Sequence, residues 1–235
     1  MCKEVIAIDG PAGAGKSTVA KSVAKMLGFR YLDTGAMYRT VALLAMRERS
    51  QDGPTVERIA KEMQFAFTSP LVGEVVERSE PGDGSRQRVL ANGADVTDLL
   101  RTPEVSEAAS RLSTYGPLRQ ELVRRQQEML AEGRIVIEGR DTTTVVCPDA
   151  RLKIYLTASV EERARRRCLE MKTKGGHVPI LEEIQAQIAE RDRRDMNRED
   201  SPLRVAEDAV AIDTDKLTVD QVVEAVMSEW HAVRV

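Results

Sequence analysis

The sequence predicts an α/β fold, a parallel sheet flanked by helices, with a small β-rich insert. Three observations predict it. Short, almost wholly apolar runs recur along the chain, as in strands buried on both faces. Between them lie longer segments whose apolar residues repeat at helical spacing. One stretch near the middle breaks this alternation and is punctuated by tight-turn residues instead.

Val5-Ile6-Ala7-Ile8 is the first apolar run, ended by Asp9-Gly10. Val19, Ala20, Val23, Ala24 and Leu27 then repeat at helical spacing, and Gly28 supplies the stop. A second strand at Phe29-Arg30-Tyr31-Leu32 turns into a second helix, in which Met37, Val41 and Leu44 face inward. From about Gln64 to Thr97 the rhythm changes. Pro81-Gly82-Asp83-Gly84 and Asn92-Gly93 are turn signals between short β-like runs, which predicts a small antiparallel sheet. Strands return with "RIVIEG", "LKIYLTAS" and "AVAID", and helices with "VEERARRRCLEMK" and "TVDQVVEAVMSEW". Ser159 and Glu162 have capping-box spacing at the start of the first of these helices. The expected organisation is a core of residues 1–62 and 98–235, an insert at 63–97, and a helical lid at about 163–200.

The bulk properties narrow the function classes. The chain has 235 residues, 42% hydrophobic and 31% charged, as in an ordinary globular protein with a buried core. A formal net charge of −3 argues against non-specific binding to a nucleic-acid polymer. Cys2, Cys147 and Cys168 are odd in number and show no paired spacing, so reduced thiols are expected. With only His177 and His231, a His/Cys zinc site is not expected. No signal-peptide pattern opens the sequence and no apolar run has the length of a membrane span, so a cytoplasmic location is expected.

The most informative segment is Gly10-Pro11-Ala12-Gly13-Ala14-Gly15-Lys16-Ser17, with Thr18 completing it. It matches G-x-x-x-x-G-K-[ST] between a strand and a helix, the context a phosphate-binding loop requires. Small residues let successive backbone N–H groups curl around an anion. The helix start adds its dipole, Lys16 adds a full charge, and the Ser17 hydroxyl suits Mg²⁺. A nucleotide triphosphate such as ATP is the expected ligand. A nucleotide switch would carry Asn-Lys-x-Asp and Asp-x-x-Gly, and neither occurs. A motor would carry an apolar strand ending in Asp with an adjacent Glu, which "VIEGRD" does not follow. A small phosphotransferase remains, with a nucleotide-binding regulator as the rival outside enzymes.

Asp33-Thr34-Gly35-Ala36-Met37-Tyr38-Arg39 stands where the second strand gives way to the second helix. Ligands bind at such strand ends in open α/β sheets. Thr34 can cap the helix, Arg39 offers a planar fork for phosphate, and Tyr38 offers a flat face or a hydroxyl. The bland alternative makes Asp33 and Thr34 caps only and Arg39 a solvated charge.

Further on, Leu181, Ile184, Ile188, Arg191, Asp195 and Arg198 alternate steps of three and four and share one helical stripe. That stripe begins apolar and ends in guanidinium and carboxylate groups. It suits either a lid over an anion or a solvated helix laced by pairs such as Arg191–Asp195.

These motifs together resemble those of the bacterial cytidylate kinases. The likeness rests on GPAGAGKST, then DTGAMYR, then GRDTTTVVCPDA from Gly139 to Ala150, then RDRRDMNR from Arg191 to Arg198. It implies transfer of the γ-phosphate of ATP to CMP or dCMP, with Mg²⁺, by a protein usually monomeric. The resemblance makes Thr34, Tyr38 and Arg39 acceptor contacts, with Ser110 and Arg119 joining them and Arg101 a phosphate candidate. Arg140 and Asp141 match the family's cytosine-recognising pair. Asp141 can accept from the exocyclic amine of cytosine, which uracil lacks. Thr142-Thr143-Thr144 follows, where many relatives carry a glycine. Arg191 and Arg198 resemble phosphate-clamping lid arginines, and Asp195 resembles the carboxylate that holds the acceptor ribose. Of the clustered Arg163, Arg165, Arg166 and Arg167, the first and last are one turn apart and suit the ATP phosphates. The Gly175-Gly176 pair reads as a hinged tip. The use of CMP against dCMP, activity on UMP and the breadth of donors stay open.

Overall fold

The computed structural model describes residues 4–68, 87–173, 175 and 178–233. Cys2, His177, Gly176, the Pro81–Gly84 turn cluster and most of the insert's expected β-like runs lie outside the described residues. The chain forms two compact units, residues 1–33 with 123–235, and residues 34–122.

The first unit is built on a five-stranded parallel sheet. Its strands are β1 (Val5–Asp9), β2 (Arg30–Asp33), β6 (Ile135–Glu138), β7 (Leu152–Thr157) and β8 (Val210–Asp213), in the order β2-β6-β1-β7-β8. Central β1 is buried along its whole length, which is why it reads as an unbroken apolar run. Val5 pairs with Ile135 and Ile8 with Glu138 on one side, and Asp9 pairs with Tyr155 on the other. This register brings three acidic residues, Asp9, Asp33 and Glu138, to the carboxyl ends of adjacent strands.

Helix α1 (Lys16–Leu27) stops at Gly28, which takes φ 64° and donates to the carbonyls of Ala24 and Lys25. Its buried Val19, Ala20 and Val23 share a core with sheet residues Ile6, Ile8 and Ile154. The last helix, α8 (Val219–Ala232), adds Val222, Val226 and Trp230 to that core. Phe29 meets Trp230 edge-on at 5.6 Å between ring centroids. Thr218 and Gln221 form a full capping box at the start of α8.

Helices α6 (Val160–Thr173) and α7 (Leu181–Asn197) follow β7 and share a small core of Ala164, Ile184 and Ile188. The capping box expected at Ser159 and Glu162 is only half made. The Glu162 N–H donates to Ser159 Oγ at 3.2 Å. The Ser159 N–H goes instead to Asp215 at 2.7 Å, and the Glu162 carboxylate is taken by Arg165 and Arg166. Two guanidinium groups outbid one backbone N–H because charge-assisted bonds are the stronger ones.

The second unit holds α2 (Thr34–Arg47), α3 (Gly53–Glu62), α4 (Pro103–Leu112) and the first residues of α5 (Gly116–Leu130). A three-stranded antiparallel sheet joins them, β3 (Phe65–Thr68), β4 (Arg88–Ala91) and β5 (Ala94–Asp95). Asn92 and Gly93 turn β4 into β5 with φ values of 50° and 79°, the left-handed pair that such a hairpin needs. The unit is wider than the expected insert at 63–97. The burial explains why: Met37, Val41, Val56, Ile59, Ala108 and Leu112 give these helices their own apolar interior.

Candidate active site

The loop from Gly10 to Gly15 joins β1 to α1. Gly10, Gly13 and Gly15 all take positive φ, at 147°, 80° and 91°. A side chain at Gly10 would begin 2.0 Å from the Leu156 carbonyl oxygen, so only glycine fits there. Lys16 is buried and its Nζ donates to the Pro11 carbonyl at 2.8 Å, across the loop. Burial and the positive fields of Arg140 and Arg191 lower its pKa to about 7, against the opposing pull of Glu138 and Asp9. Four sequence-predicted or adjacent charged groups therefore act on the loop lysine. A lysine held this way is one whose charge a polyphosphate would restore.

Ser17 donates its hydroxyl to Glu138 Oε1, and the Tyr31 hydroxyl donates to the same carboxylate oxygen at 2.7 Å. Burial and the Glu138 charge push the Tyr31 phenol well up from its ordinary value. Glu138 was not read as a site residue, although it ends an apolar strand beside the one that carries the loop. A hydroxyl and a carboxylate side by side are an all-oxygen donor pair, which fits a hard cation such as Mg²⁺. Among the described residues no cluster of three or more His, Cys, Asp or Glu is arranged around a point.

Past Glu138 the chain enters the Gly139–Cys147 loop. Thr142–Val146 coils into a single wide turn, with the N–H groups of Val145 and Val146 both donating to the Asp141 carbonyl. Asp9 anchors this turn. Its Oδ1 accepts from the Thr142 N–H at 3.0 Å and hydroxyl at 2.7 Å, and its Oδ2 from the Thr143 N–H and hydroxyl, each at 2.7 Å. Burial raises the Asp9 pKa despite these bonds.

Arg140 donates through Nε to Asp195 Oδ2 at 2.9 Å. Asp195 Oδ1 lies 3.6 Å from Arg198, and Arg198 lies 3.8 Å from Asp141 Oδ1. Asp141, Asp195 and Arg198 are buried. Burial would raise the Asp195 pKa, but Arg140, Arg191 and Arg198 together hold it below the usual carboxylate value. Along the α7 stripe Leu181 is exposed and Ile184 and Ile188 pack on α6, while Asp195 and Arg198 meet the loop after β6 and Arg191 adds to the positive field at Lys16.

The arginines of α6 are placed differently from one another. Arg163 is buried and donates to the carbonyls of Ala158 and Ala12, both at 2.9 Å, and to Asp192 Oδ2. Asp192 Oδ1 also accepts from the Ala12 N–H at 3.2 Å. Both polar groups of the Ala12 peptide unit are therefore gripped, its N–H from α7 and its carbonyl from α6. Arg165 and Arg166 bind Glu162, and Arg166 also reaches Thr214. Arg167 pairs with Glu170 at 2.8 Å on the half-exposed side of the helix. Asp192 was missed in the sequence; its signal was a spacing of four from Ile188, which puts it on the buried face of α7.

Within the second unit, α2 starts at Thr34, directly on the end of β2. Thr34, Tyr38, Ser110 and Arg119 are all buried and Arg39 is half-buried. The Arg119 guanidinium stands 5.5 Å from the Tyr38 ring centroid and donates to the Ser113 carbonyl at 3.0 Å. Ser110 Oγ is buried with no hydrogen-bond partner among the described residues, the state of a hydroxyl that a ligand would satisfy. Arg101 ends a short turn at Leu99–Arg101 and is exposed.

A strand–loop–helix phosphate cradle with a buried lysine, at the carboxyl end of a parallel sheet, defines a P-loop nucleotide-binding protein. A model of the cytidylate kinase family matches residues 6–232. The cytidylate kinase of Citrifermentans bemidjiense is 44% identical over 226 residues, covering 95% of this chain and 91% of that protein. The bifunctional pantoate ligase/cytidylate kinase of Synechococcus sp. (strain CC9605) is 43% identical over 230 residues. The match covers 97% of this chain but 45% of that protein, so the chain spans less than half the length of such relatives. A solved structure from Eubacterium ventriosum, an uncharacterised protein, shares the fold with a TM-score of 0.53 at 11% identity, over 98% of this chain and 99% of that one. The chain belongs to the cytidylate kinase family.

Among the described residues Cys147 and Cys168 form no disulfide, and the Cys147 thiol donates to Asp149 Oδ1 at 3.8 Å. Among the described residues no helix is long and apolar enough to cross a membrane.

Proposed function

We propose that the protein transfers the γ-phosphate of ATP to CMP or dCMP, giving CDP or dCDP and ADP. The carrying observation is the sequence of charges Lys16, Arg140, Asp195, Arg198 and Asp141, all buried except half-buried Arg140, assembled on a family-matched chain beside a phosphate loop. Phosphoryl transfer needs in-line placement and neutralised oxygens more than a strong base. An acceptor phosphate oxygen forms the new bond to the γ-phosphorus while the bond to the β-bridging oxygen breaks, and ADP leaves with that electron pair. No general base is required, because the acceptor phosphate is already largely ionised at neutral pH.

In this reading the backbone from Gly10 to Thr18 wraps the donor's β-phosphate and Lys16 bridges toward the γ-phosphate. Ser17, with Glu138 adjoining, would hold Mg²⁺, which would supply further neutralisation of the triphosphate. Arg191 and Arg198 steady the transferring group. Arg163 supports the loop from behind through Ala12 and Asp192, and Arg167 is a peripheral donor contact. Toward the acceptor, the sheet unit offers Arg140 and the Asp195 carboxylate to phosphate and ribose, and Asp141 to the cytosine amine. By the family match alone, Thr34, Tyr38, Arg39, Ser110 and Arg119 are read as acceptor contacts, with Arg101 as a further phosphate candidate. Uracil would set a carbonyl against the Asp141 carboxylate, which disfavours it.

A coupled assay offering CMP, dCMP, UMP, AMP and no acceptor, each with ATP and Mg²⁺, tests the reading. Release of ADP with CMP and dCMP well above that with UMP or AMP is the expected result. Equal ADP release in every cell, acceptor or none, would make the protein an ATPase or regulator instead.

A further inference from the structure

Resting on the cytidylate kinase reading, we infer that Asp9 is a positioning residue for acceptor recognition, locking the Arg140–Asp141 dipeptide to the end of β1 through Thr142 and Thr143.

The dipeptide is held on both sides. Before it, the Gly139 N–H donates to the Ile8 carbonyl at 3.0 Å, the last rung between β6 and β1. After it, Thr142 and Thr143 close on the very next residue of β1, with four bonds onto Asp9. Two tethers three residues apart leave Arg140 and Asp141 little freedom, and the Asp141 carbonyl is further fixed by Val145 and Val146. Each Asp9 oxygen receives one N–H and one O–H, so both oxygens of the carboxylate are doubly used. The two hydroxyls come from Thr142 and Thr143, each at 2.7 Å. A glycine there would keep the N–H bond and lose the O–H bond.

A buried carboxylate is a costly way to end a strand. An amide cannot replace it cleanly, because its NH₂ would face the N–H of one threonine. Lys16 Nζ donates to the Pro11 carbonyl at 2.8 Å and Arg140 Nε to Asp195 at 2.9 Å. What the carboxylate bonds is the turn that follows the acceptor-reading pair.

The test compares Asp9→Asn, the double variant Thr142→Ala/Thr143→Ala, and Thr143→Ser as the conservative control. Steady-state KM values for CMP and ATP, the CMP-to-UMP ratio of kcat/KM, and amide exchange over residues 139–147 are measured on each. A displaced reactive geometry costs up to about a hundredfold. Asp9→Asn is therefore expected to raise KM for CMP by about tenfold or more and narrow the CMP-to-UMP ratio, with KM for ATP within about twofold. Exchange at 142–147 should quicken in the same variant, the double variant should follow in direction, and Thr143→Ser should stay close to the parent. Equal losses toward ATP and CMP would reduce Asp9 to a support of the phosphate loop and overturn the inference. So would an unchanged KM for CMP in the double variant, which decides the matter if Asp9→Asn does not fold. A parent protein inert toward CMP refutes the kinase reading itself, whereas an active parent with indifferent variants refutes this inference alone.

Discussion

Asp195 on α7 accepts the Nε–H of Arg140 from the loop after β6 at 2.9 Å, joining residues 55 positions apart in the chain. The bond is part-buried and extends through Arg198 to Asp141, so charges alternate along the line. Removing the central carboxylate takes the acceptor from Arg140 Nε and one of two neighbouring carboxylates from Arg198. Breaking one partner out of a buried ion pair typically costs about 3–5 kcal/mol. Asp195→Ala is expected to lose stability on that scale, and to raise KM for CMP far more than KM for ATP. Urea unfolding together with the two KM values checks both; equal KM effects would show that the network serves the whole fold and not the acceptor.

Lys16 gives a pH signature. Its pKa is brought to about 7 in the folded chain from 10.5. Between those values the unfolded chain holds a proton that the folded chain has released. Stability from this residue therefore rises with pH across that window, and the burial cost is felt in full below it. A bound triphosphate favours the charged lysine, so ATP binding above about pH 7 should take up part of a proton. Calorimetric titration in buffers of different ionisation enthalpy reads this directly: heats should diverge above the window's lower edge and converge beneath it. Lys16→Met should abolish the divergence and lower turnover by about a hundredfold or more.

The Asp141 side chain is buried, with Oδ1 3.8 Å from Arg198. Asp141→Ala deletes the acceptor of the cytosine amine. A site built to hydrogen-bond a substrate group loses about four orders of discrimination when that pairing is removed. The expected outcome is a CMP-to-UMP ratio of kcat/KM reduced by at least about a hundredfold. Competition between the two monophosphates in one reaction, read by product analysis, is the most direct measure; an unaltered ratio assigns base reading to other residues.

Asp192 and Arg163 together hold the Ala12 peptide of the phosphate loop. Asp192→Ala frees the Ala12 N–H and leaves Arg163 without its carboxylate. The loop should then hold the donor less well, with KM for ATP rising by about tenfold while KM for CMP stays near that of the parent. Fluorescent-nucleotide binding without acceptor separates this from a slower chemical step. Parent-like donor affinity would falsify a loop-holding role.

Much of this arrangement was legible before any coordinates. The parallel strands were readable because β1 and β6 are buried along their whole length and carry nearly unbroken apolar runs, while β7 keeps a mostly apolar run around Lys153. The phosphate loop was readable because its geometry demands particular residue types at Gly10, Lys16 and Ser17, all local in sequence. The α7 stripe was readable because helical spacing is local too. The Ser159–Glu162 box misled, since spacing alone does not reveal that Arg165 and Arg166 compete for the same carboxylate.

What the sequence alone determined was therefore the fold class, the donor loop and the family motifs, each written in contiguous residues by steric and hydrogen-bonding rules that act over a few positions. Tertiary structure alone decided the partners of the buried charges: Asp9 with Thr142 and Thr143, Glu138 with Ser17 and Tyr31, Arg163 with Asp192. Those pairings depend on which strand ends the sheet register sets side by side and which helix face turns inward. A charge withdrawn from water must find its counterpart wherever the fold has brought one within reach, and nothing in its neighbours along the chain names that counterpart.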